Sequence, residues 1–354
     1  MKLTLLGGGG FRVPLMFRTL LADQSERRVT ELRLWDTDAG RLAVIRSILQ
    51  AMAQGHPRAP EVRVAQNLEE AVAGTDFVFS AIRVGGTEGR ATEETIAHCC
   101  GVLGQETTGF GGLDYALRGI PTAVRIAETI ARLAPGAHLI NFTNPAGIIT
   151  EVSSRILGDR VIGICDSPVG LARRVLDTLE GAGLVATGTA SRVIAGDDRV
   201  RLDYAGLNHL GWLQRLLVDG DDVLPLLLER PDLIESFEEG RLFGAGWLRQ
   251  LGSVPNEYLH YYYFARETRR ADEAVEATRG VFLAAQQRDF YARAATLPGP
   301  EAYALWEATR LRREETYMAS NRLAAGGVER DAADLATGGY DRVALAVMKA
   351  IAFD

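Results

Sequence analysis

A thiol, a carboxylate and two amides stand within a short span of this chain. Asn141 and Asn144 lie in Asn141-Phe142-Thr143-Asn144-Pro145, and Cys165 and Asp166 open Cys165-Asp166-Ser167-Pro168. Each group closes a short apolar run, Ala137 to Ile140 and Val161 to Ile164, with a helix-like segment from Ile148 to Leu157 between them. That is a strand, helix, strand unit. Ligands of open α/β sheets bind in the crevice beyond the carboxyl ends of the strands, so the pattern sends these four side chains to one pocket. The competing reading makes the asparagines turn-formers and the cysteine a small core residue. A second candidate is His209, set in Gly206-Leu207-Asn208-His209-Leu210. Alone it reads as a structural histidine, but a cysteine thiolate and a neutral imidazole together suit Zn, Fe or Mn.

The elements before this stretch alternate. Residues 2 to 6 read as a buried strand, Gly7, Gly8, Gly9 and Gly10 follow at once, and a helical pattern begins near Pro14. A strand at Leu32 to Trp35 ends at Asp36, whose carboxylate is placed to take the hydroxyls of an adenosine ribose. Glycines let the backbone approach a pyrophosphate at a helix N-terminus, so this order favours a dinucleotide, with a flavin or a structural turn as alternatives. A helix at Gly40 to Ala53 and strands at Val62 to Val64 and Phe77 to Ala81 continue the pattern. The expected fold class is α/β, a doubly wound, Rossmann-type parallel sheet of the lactate and malate dehydrogenase kind. Arg83 and Arg90 sit in what reads as a glycine-bearing loop beyond a strand, suited to an anion. Glu106 lies in a second loop, Gly104 to Gly112, whose glycines imply close approach to something. Past residue 165 come strands expected around Arg192-Val193-Ile194 and Val200 to Tyr204, and then mainly helical sequence with tyrosines massed at Tyr258 and Tyr261 to Tyr263. The expected domains are residues 1–165, which bind the dinucleotide, and residues 166–354, a mixed α+β and mainly helical catalytic domain.

Composition sets bounds. The 354 residues are 47% hydrophobic and 24% charged, and no apolar run is long enough to span a bilayer. A net charge of −7 argues against a nucleic-acid partner. Three cysteines, two of them the adjacent Cys99 and Cys100, make a poor disulfide framework, and the N-terminus lacks a signal-peptide pattern, so the expectation is a cytoplasmic protein.

Seven motifs in order resemble the family 4 glycoside hydrolases, the NAD- and metal-dependent 6-phospho-glucosidases and their relatives. They are Gly7 to Gly10, Arg83-Val84-Gly85-Gly86 with Arg90, Gly104-Gln105-Glu106-Thr107 with Gly111-Gly112, Asn141 to Pro145, Cys165-Asp166-Ser167-Pro168, Gly206 to His209, and Tyr258-Leu259 with Tyr261-Tyr262. The resemblance implies that Cys165 and His209 hold a divalent metal, Mn²⁺, which also chelates the sugar hydroxyls at C2 and C3. It implies that NAD⁺, held by the glycine loop and Asp36, takes hydride from C3 and that Tyr258 removes the C2 proton. The aglycone is then eliminated, water adds at C1 and the hydride returns, a route outside two-carboxylate glycoside hydrolysis. On the same basis Glu106 increases the basicity of Tyr258, Asp166 protonates the leaving oxygen, and Arg90, Asn144 and Arg279 bind substrate. The motifs around Arg83 and Glu106 look most like 6-phospho-β-glucosidases, while the Cys165-Asp166 pair pulls towards 6-phospho-α-glucosidases or α-galactosidase-like members. A 2-hydroxy-acid dehydrogenase and a non-catalytic sugar-phosphate or nucleotide sensor are the alternatives outside the family. Two departures stand out: Gly10 replaces the family's serine, and the chain stops at Asp354 soon after the apolar stretch Val343 to Met348, where relatives run on. The expectation is a trimmed or naturally shortened protein, a homodimer or homotetramer, in which either the missing segment's contacts are lost or an oligomer partner covers that apolar face.

Overall fold

The computed structural model describes residues 1–275, 277–330 and 339–353. The chain forms two compact units. The first is Met1–Ile164 with Ala277–Arg313 and Val347–Asp354, and the second is Cys165–Glu276 with Glu314–Ala346. The expected single cut after residue 165 does not describe this division, and the reason lies in the packing of the returning helix Arg279–Ala294. A Cβ on Gly280 would sit 2.8 Å from Ala91 Cα, and the Gly280 N–H donates to Glu94 Oε2 at 2.5 Å, which ties this helix to the helix Gly86–Cys99.

In the first unit, six strands line up as β3-β2-β1-β4-β5-β6: β1 (Lys2–Leu6), β2 (Glu31–Trp35), β3 (Glu61–Val64), β4 (Phe77–Ser80), β5 (His138–Asn141) and β6 (Val161–Gly163). Every pairing is parallel. All of β4 and the last four residues of β1 are buried, as strands covered by helices on both faces must be. The order reverses between β1 and β4, which is the switch point of a Rossmann-type sheet and opens the ligand crevice there.

The second unit pairs β7 (Val200–Leu207), β8 (Leu210–Val218) and β10 (Val254–Pro255) antiparallel, with the two-residue β9 (Asp221–Asp222) on β8. Its core joins this sheet to helices, with Leu171, Val175, Leu213, Leu216, Leu227 and Leu248 wholly buried. Register pairs Leu207 with Leu210, so Asn208 and His209 alone form the hairpin turn. Asn208 takes a left-handed conformation there, φ 53°, which asparagine tolerates better than most residues.

Two local expectations are corrected. The strand expected at Arg192 to Ile194 is a helix, Thr189–Ala195, bounded by Gly188 and Gly196, both left-handed. These glycines cap a seven-residue helix, and its Val-Ile pair reads as strand only when the caps are ignored. Arg90 is not on a loop, since the helix Gly86–Cys99 begins just before it. Among the described residues no helix is long and apolar enough to cross a membrane.

Candidate functional site

In the first unit the glycine loop follows β1 directly. A Cβ would lie 2.7 Å from Ala81 O at Gly7, 2.8 Å from Leu34 Cβ at Gly8, 2.9 Å from Leu42 N at Gly9 and 2.9 Å from Gly7 O at Gly10. All four positions therefore need glycine for packing, and a serine at residue 10 would crowd the Gly7 carbonyl. Their N–H groups are engaged inside the fold: Gly7 and Gly8 donate to Trp35 O, Gly9 to Asp36 Oδ2 and Gly10 to Gly7 O. What these glycines offer a pyrophosphate is close approach rather than donors. Asp36 accepts from Gly9 N at 2.9 Å and from Asp38 N at 3.0 Å, one bond to each oxygen, which leaves lone pairs for hydroxyl ligands. Two side chains that the sequence reading missed pin the loop. Tyr291 donates to Gly9 O at 2.6 Å, and Trp306 Nε1 donates to Phe11 O at 2.7 Å.

A charged cluster in the same unit gathers Glu106, Arg83 and Arg90. Arg90 is buried, pairs with Glu94 through Nε at 2.7 Å and with Glu106 through Nη1 at 2.7 Å, and so is not ordinary surface charge. Arg83 pairs with the same Glu106 oxygen and lies over the Tyr115 ring at 4.1 Å. Burial would raise the Glu106 carboxyl, but Arg90, Arg83, Arg313 and Arg12 outweigh it and hold it at about 2. Among the described residues Arg83 Nη1 is buried without a hydrogen-bond partner, so a donor remains for an anion. Arg279 begins its helix one residue before Gly280, donates to Arg313 O at 2.8 Å and lies over the Phe282 ring.

The glycines of the Gly104 to Gly112 stretch approach the chain itself. A Cβ on Gly104 would sit 2.6 Å from Glu94 O, and one on Gly112 would sit 2.5 Å from Thr107 O. The second half of this stretch is helical, the first turn of Gly109–Leu133. Asn141 is likewise a builder and not a ligand group. It is wholly buried, its Nδ2 donates to Thr143 O, Ala146 O and Thr150 Oγ1, and its Oδ1 accepts from Thr143 N. The turn it makes presents the half-buried Asn144 just beyond β5.

Three of the expected residues meet in the second unit. Cys165 Sγ lies 3.2 Å from His209 Nε2, and the His209 ring stacks on Tyr258 with centroids 3.8 Å apart and planes 6° from parallel. Each is positioned locally. His209 sits in the two-residue hairpin turn, whose Asn208 carbonyl accepts from the Tyr204 hydroxyl at 2.5 Å. Tyr258 lies in a short turn of 3₁₀ helix, Glu257–Leu259, where the buried Asn256 side chain accepts from Tyr258 N at 3.1 Å. Burial pushes the Cys165 thiol up to about 12, and the neighbouring Asp166 adds to this, so a thiolate here requires a cation beside it. Asp166 precedes the helix Ser167–Gly181, and its side chain makes no capping bond. Among the described residues no group of three or more His, Cys, Asp and Glu side chains is arranged to hold a metal. Cys99 and Cys100 are free and exposed.

Residues 2–180 match the family model described as family 4 glycosyl hydrolase, and residues 204–354 match the model of the same family's C-terminal domain. A probable 6-phospho-β-glucosidase of Bacillus subtilis (strain 168) is 31% identical over 288 residues, 79% of this chain and 62% of the relative. A 6-phospho-α-glucosidase of Leptotrichia buccalis is 31% identical over 280 residues, 74% of this chain and 60% of the relative. The chain thus spans about three fifths of the length of these curated relatives. The 6-phospho-β-glucosidase of Thermotoga maritima, solved with manganese, NAD⁺ and glucose-6-phosphate, superposes with a TM-score of 0.71 at 25% identity, covering 89% of this chain and 73% of that one.

Proposed function

The chain belongs to the family 4 glycosyl hydrolases, and from that premise we propose that it hydrolyses the O-glycosidic bond of 6-phospho-β-glucosides with the help of NAD⁺ and a divalent cation, Mn²⁺. The observation that carries the reading is the cluster of Cys165, His209 and Tyr258 in one unit, with a thiol and an imidazole nitrogen 3.2 Å apart beside a buried phenol.

The residues fit the two groups. A thiol that burial keeps protonated becomes a ligand once a cation replaces its proton, and His209 Nε2 is near enough to share that cation. With Cys165 and His209 as the protein donors, the remaining coordination positions would be left for substrate oxygens. The glycine loop and Asp36 suit a dinucleotide by close approach and by free carboxylate lone pairs. When bound, NAD⁺ would take and return a hydride, and the cation would withdraw electron density from sugar hydroxyls.

On this reading Cys165 and His209 orient the cation, and Tyr258 accepts the proton from C2 of the sugar, its ring fixed by the His209 stack. Asp166, whose carboxylate is not engaged as a helix cap, gives a proton to the leaving oxygen. Arg90, Asn144 and Arg279 bind substrate, and the buried Arg83 Nη1 adds a donor for its phosphate. Glu106, tied to Arg83 and Arg90, holds both guanidiniums in place. A second reading, the 6-phospho-α-glucosidase, is favoured by the Cys165-Asp166 pair and by an α-type relative at 31% identity.

Hydrolysis of chromogenic α- and β-linked 6-phosphoglucosides with NAD⁺, Mn²⁺ and reductant tests the proposal. In D₂O the product should carry deuterium at C2, because the abstracted proton exchanges with solvent. An unlabelled product, or full activity in EDTA, would sink it, and net accumulation of NADH would point to a dehydrogenase.

A further inference from the structure

We propose that Tyr204 is the positioning residue for His209, holding the hairpin turn that carries the imidazole by a hydrogen bond to its backbone. The inference rests on the assignment of His209 as a metal ligand made above. Asn208 and His209 alone join β7 to β8, and Leu207, which leads into this turn, is 81% exposed, so its packing does little to hold the tip. The Tyr204 hydroxyl holds it instead, donating to Asn208 O at 2.5 Å. That carbonyl belongs to the planar peptide unit that leads into His209, so the bond sets the direction in which His209 leaves the turn. The place and tilt of the imidazole follow, and with them its 3.2 Å approach to Cys165 Sγ and its stack on Tyr258.

Three features of the hairpin aim Tyr204 at the turn. Register pairs Asp203 with Arg215 and then Tyr204 with Leu213, which leaves Gln214 as an extra residue on β8, a bulge of the kind that re-aims side chains beside functional sites. Leu213, opposite Tyr204, is wholly buried in the core of this unit, and Tyr204 packs against that core, which fixes the root of its ring. The next-but-one pair towards the turn is Gly206 with Gly211. A Cβ on Gly211 would collide with the far end of the Tyr204 ring and lie 2.8 Å from its hydroxyl oxygen, so glycine there clears the path from the strand to Asn208 O. Gly211 O also accepts from Asn256 N at 2.9 Å, and the Asn256 side chain accepts from Tyr258 N. The Tyr204 ring therefore lies against the residue that links the His209 hairpin to the Tyr258 turn.

Tyr204→Phe keeps the ring against Gly211 and removes only the hydroxyl. The expected result is a Kd for Mn²⁺, read from the electron paramagnetic resonance of the free ion, weaker by roughly 10- to 100-fold, the scale of losing a group that orients a metal ligand. A readout independent of both metal and turnover is the NMR spectrum of metal-free protein carrying ¹⁵N-labelled histidine. There the His209 ring signals, identified by their loss in His209→Ala, should shift in Tyr204→Phe, because the stacked Tyr258 ring makes them sensitive to any change in the imidazole's place. A role limited to stability would lower the unfolding midpoint and leave both readouts where they are. A Mn²⁺ Kd within about twofold of wild type overturns the inference, and so do unmoved His209 signals. Should Tyr204→Phe not fold, Gly211→Ala pushes the phenol end of Tyr204 away from the turn and should weaken Mn²⁺ binding on the same scale; an unchanged Kd there overturns the inference. A wild-type protein that does not bind Mn²⁺ overturns the metal reading and this role together, whereas a wild type that binds it beside an equally tight Tyr204→Phe overturns the positioning role alone.

Discussion

The charged cluster of the first unit and the thiol-imidazole-phenol cluster of the second solve burial in opposite ways. Around Glu106, removal from water is offset by guanidiniums, and the carboxyl is held ionised at about 2. Around Cys165 burial prevails over the hydrogen bonds from Ser167: the thiol is pushed up to about 12, and Glu257 is also pushed up by burial, then by Glu239 and Glu238 against the pull of Arg174. The first cluster keeps its carboxylate ionised without a ligand. In the second the Cys165 thiol stays protonated until a cation arrives, so its chemistry is conditional on loading.

The largest effect expected from this contrast belongs to the conditional cluster. Cys165→Ser and His209→Ala should each remove metal-dependent activity, a loss of several kcal/mol of transition-state stabilisation or about 10³-fold and more. Thermal unfolding of the metal-free protein should barely change, because neither side chain is part of a completed charge network. A variant that keeps Mn²⁺-dependent turnover would remove these residues from the site.

Arg90→Ala should behave in the reverse manner, destabilising the protein even without ligands. It takes the guanidinium from Glu94 and leaves Glu106 with one close partner fewer, and breaking a buried pair from one side costs roughly 3–5 kcal/mol. Urea unfolding measures this, and an unchanged midpoint would show that the network is not the stabilising one. Where the variant remains folded, KM should rise more for a phosphorylated substrate than for its unphosphorylated analogue.

The pH dependence of stability separates the clusters by sign. Glu106 has its folded value depressed from 4.5 to about 2, so the unfolded chain binds more protons in that window, and the stability it contributes, up to about 3 kcal/mol, is present above 4.5 and lost as pH falls towards 2. Glu257 has its folded value raised, so its contribution is present below 4.5 and lost as pH rises through the folded value. Glu106→Gln should therefore flatten the acid limb of the stability curve, and Glu257→Gln should relieve the loss on the side above 4.5. Parallel shifts in both variants would erase the distinction drawn between the two regions.

Much of the fold was legible because its determinants are local. Apolar runs ended by glycine or by polar residues, separated by helical patterns, dictate parallel strands with both faces covered, and the chemical types at their ends survive any detail of packing. Cys165 and His209 could be named from their residue types and settings, whereas Tyr258 was named only through the family resemblance. Arg192 to Ile194 was misread although its signal, glycine on either side, was also local. Tertiary structure alone decided which groups answer one another. That Asn141 serves its own turn, that Arg90 is buried between Glu94 and Glu106, and that Gly280 returns to Glu94 across 186 positions of sequence are outcomes of folding. Periodicity encodes the face that a residue presents to its own neighbourhood, whereas a hydrogen bond between distant residues is set by the packing of whole elements, and the sequence states that only through the fold.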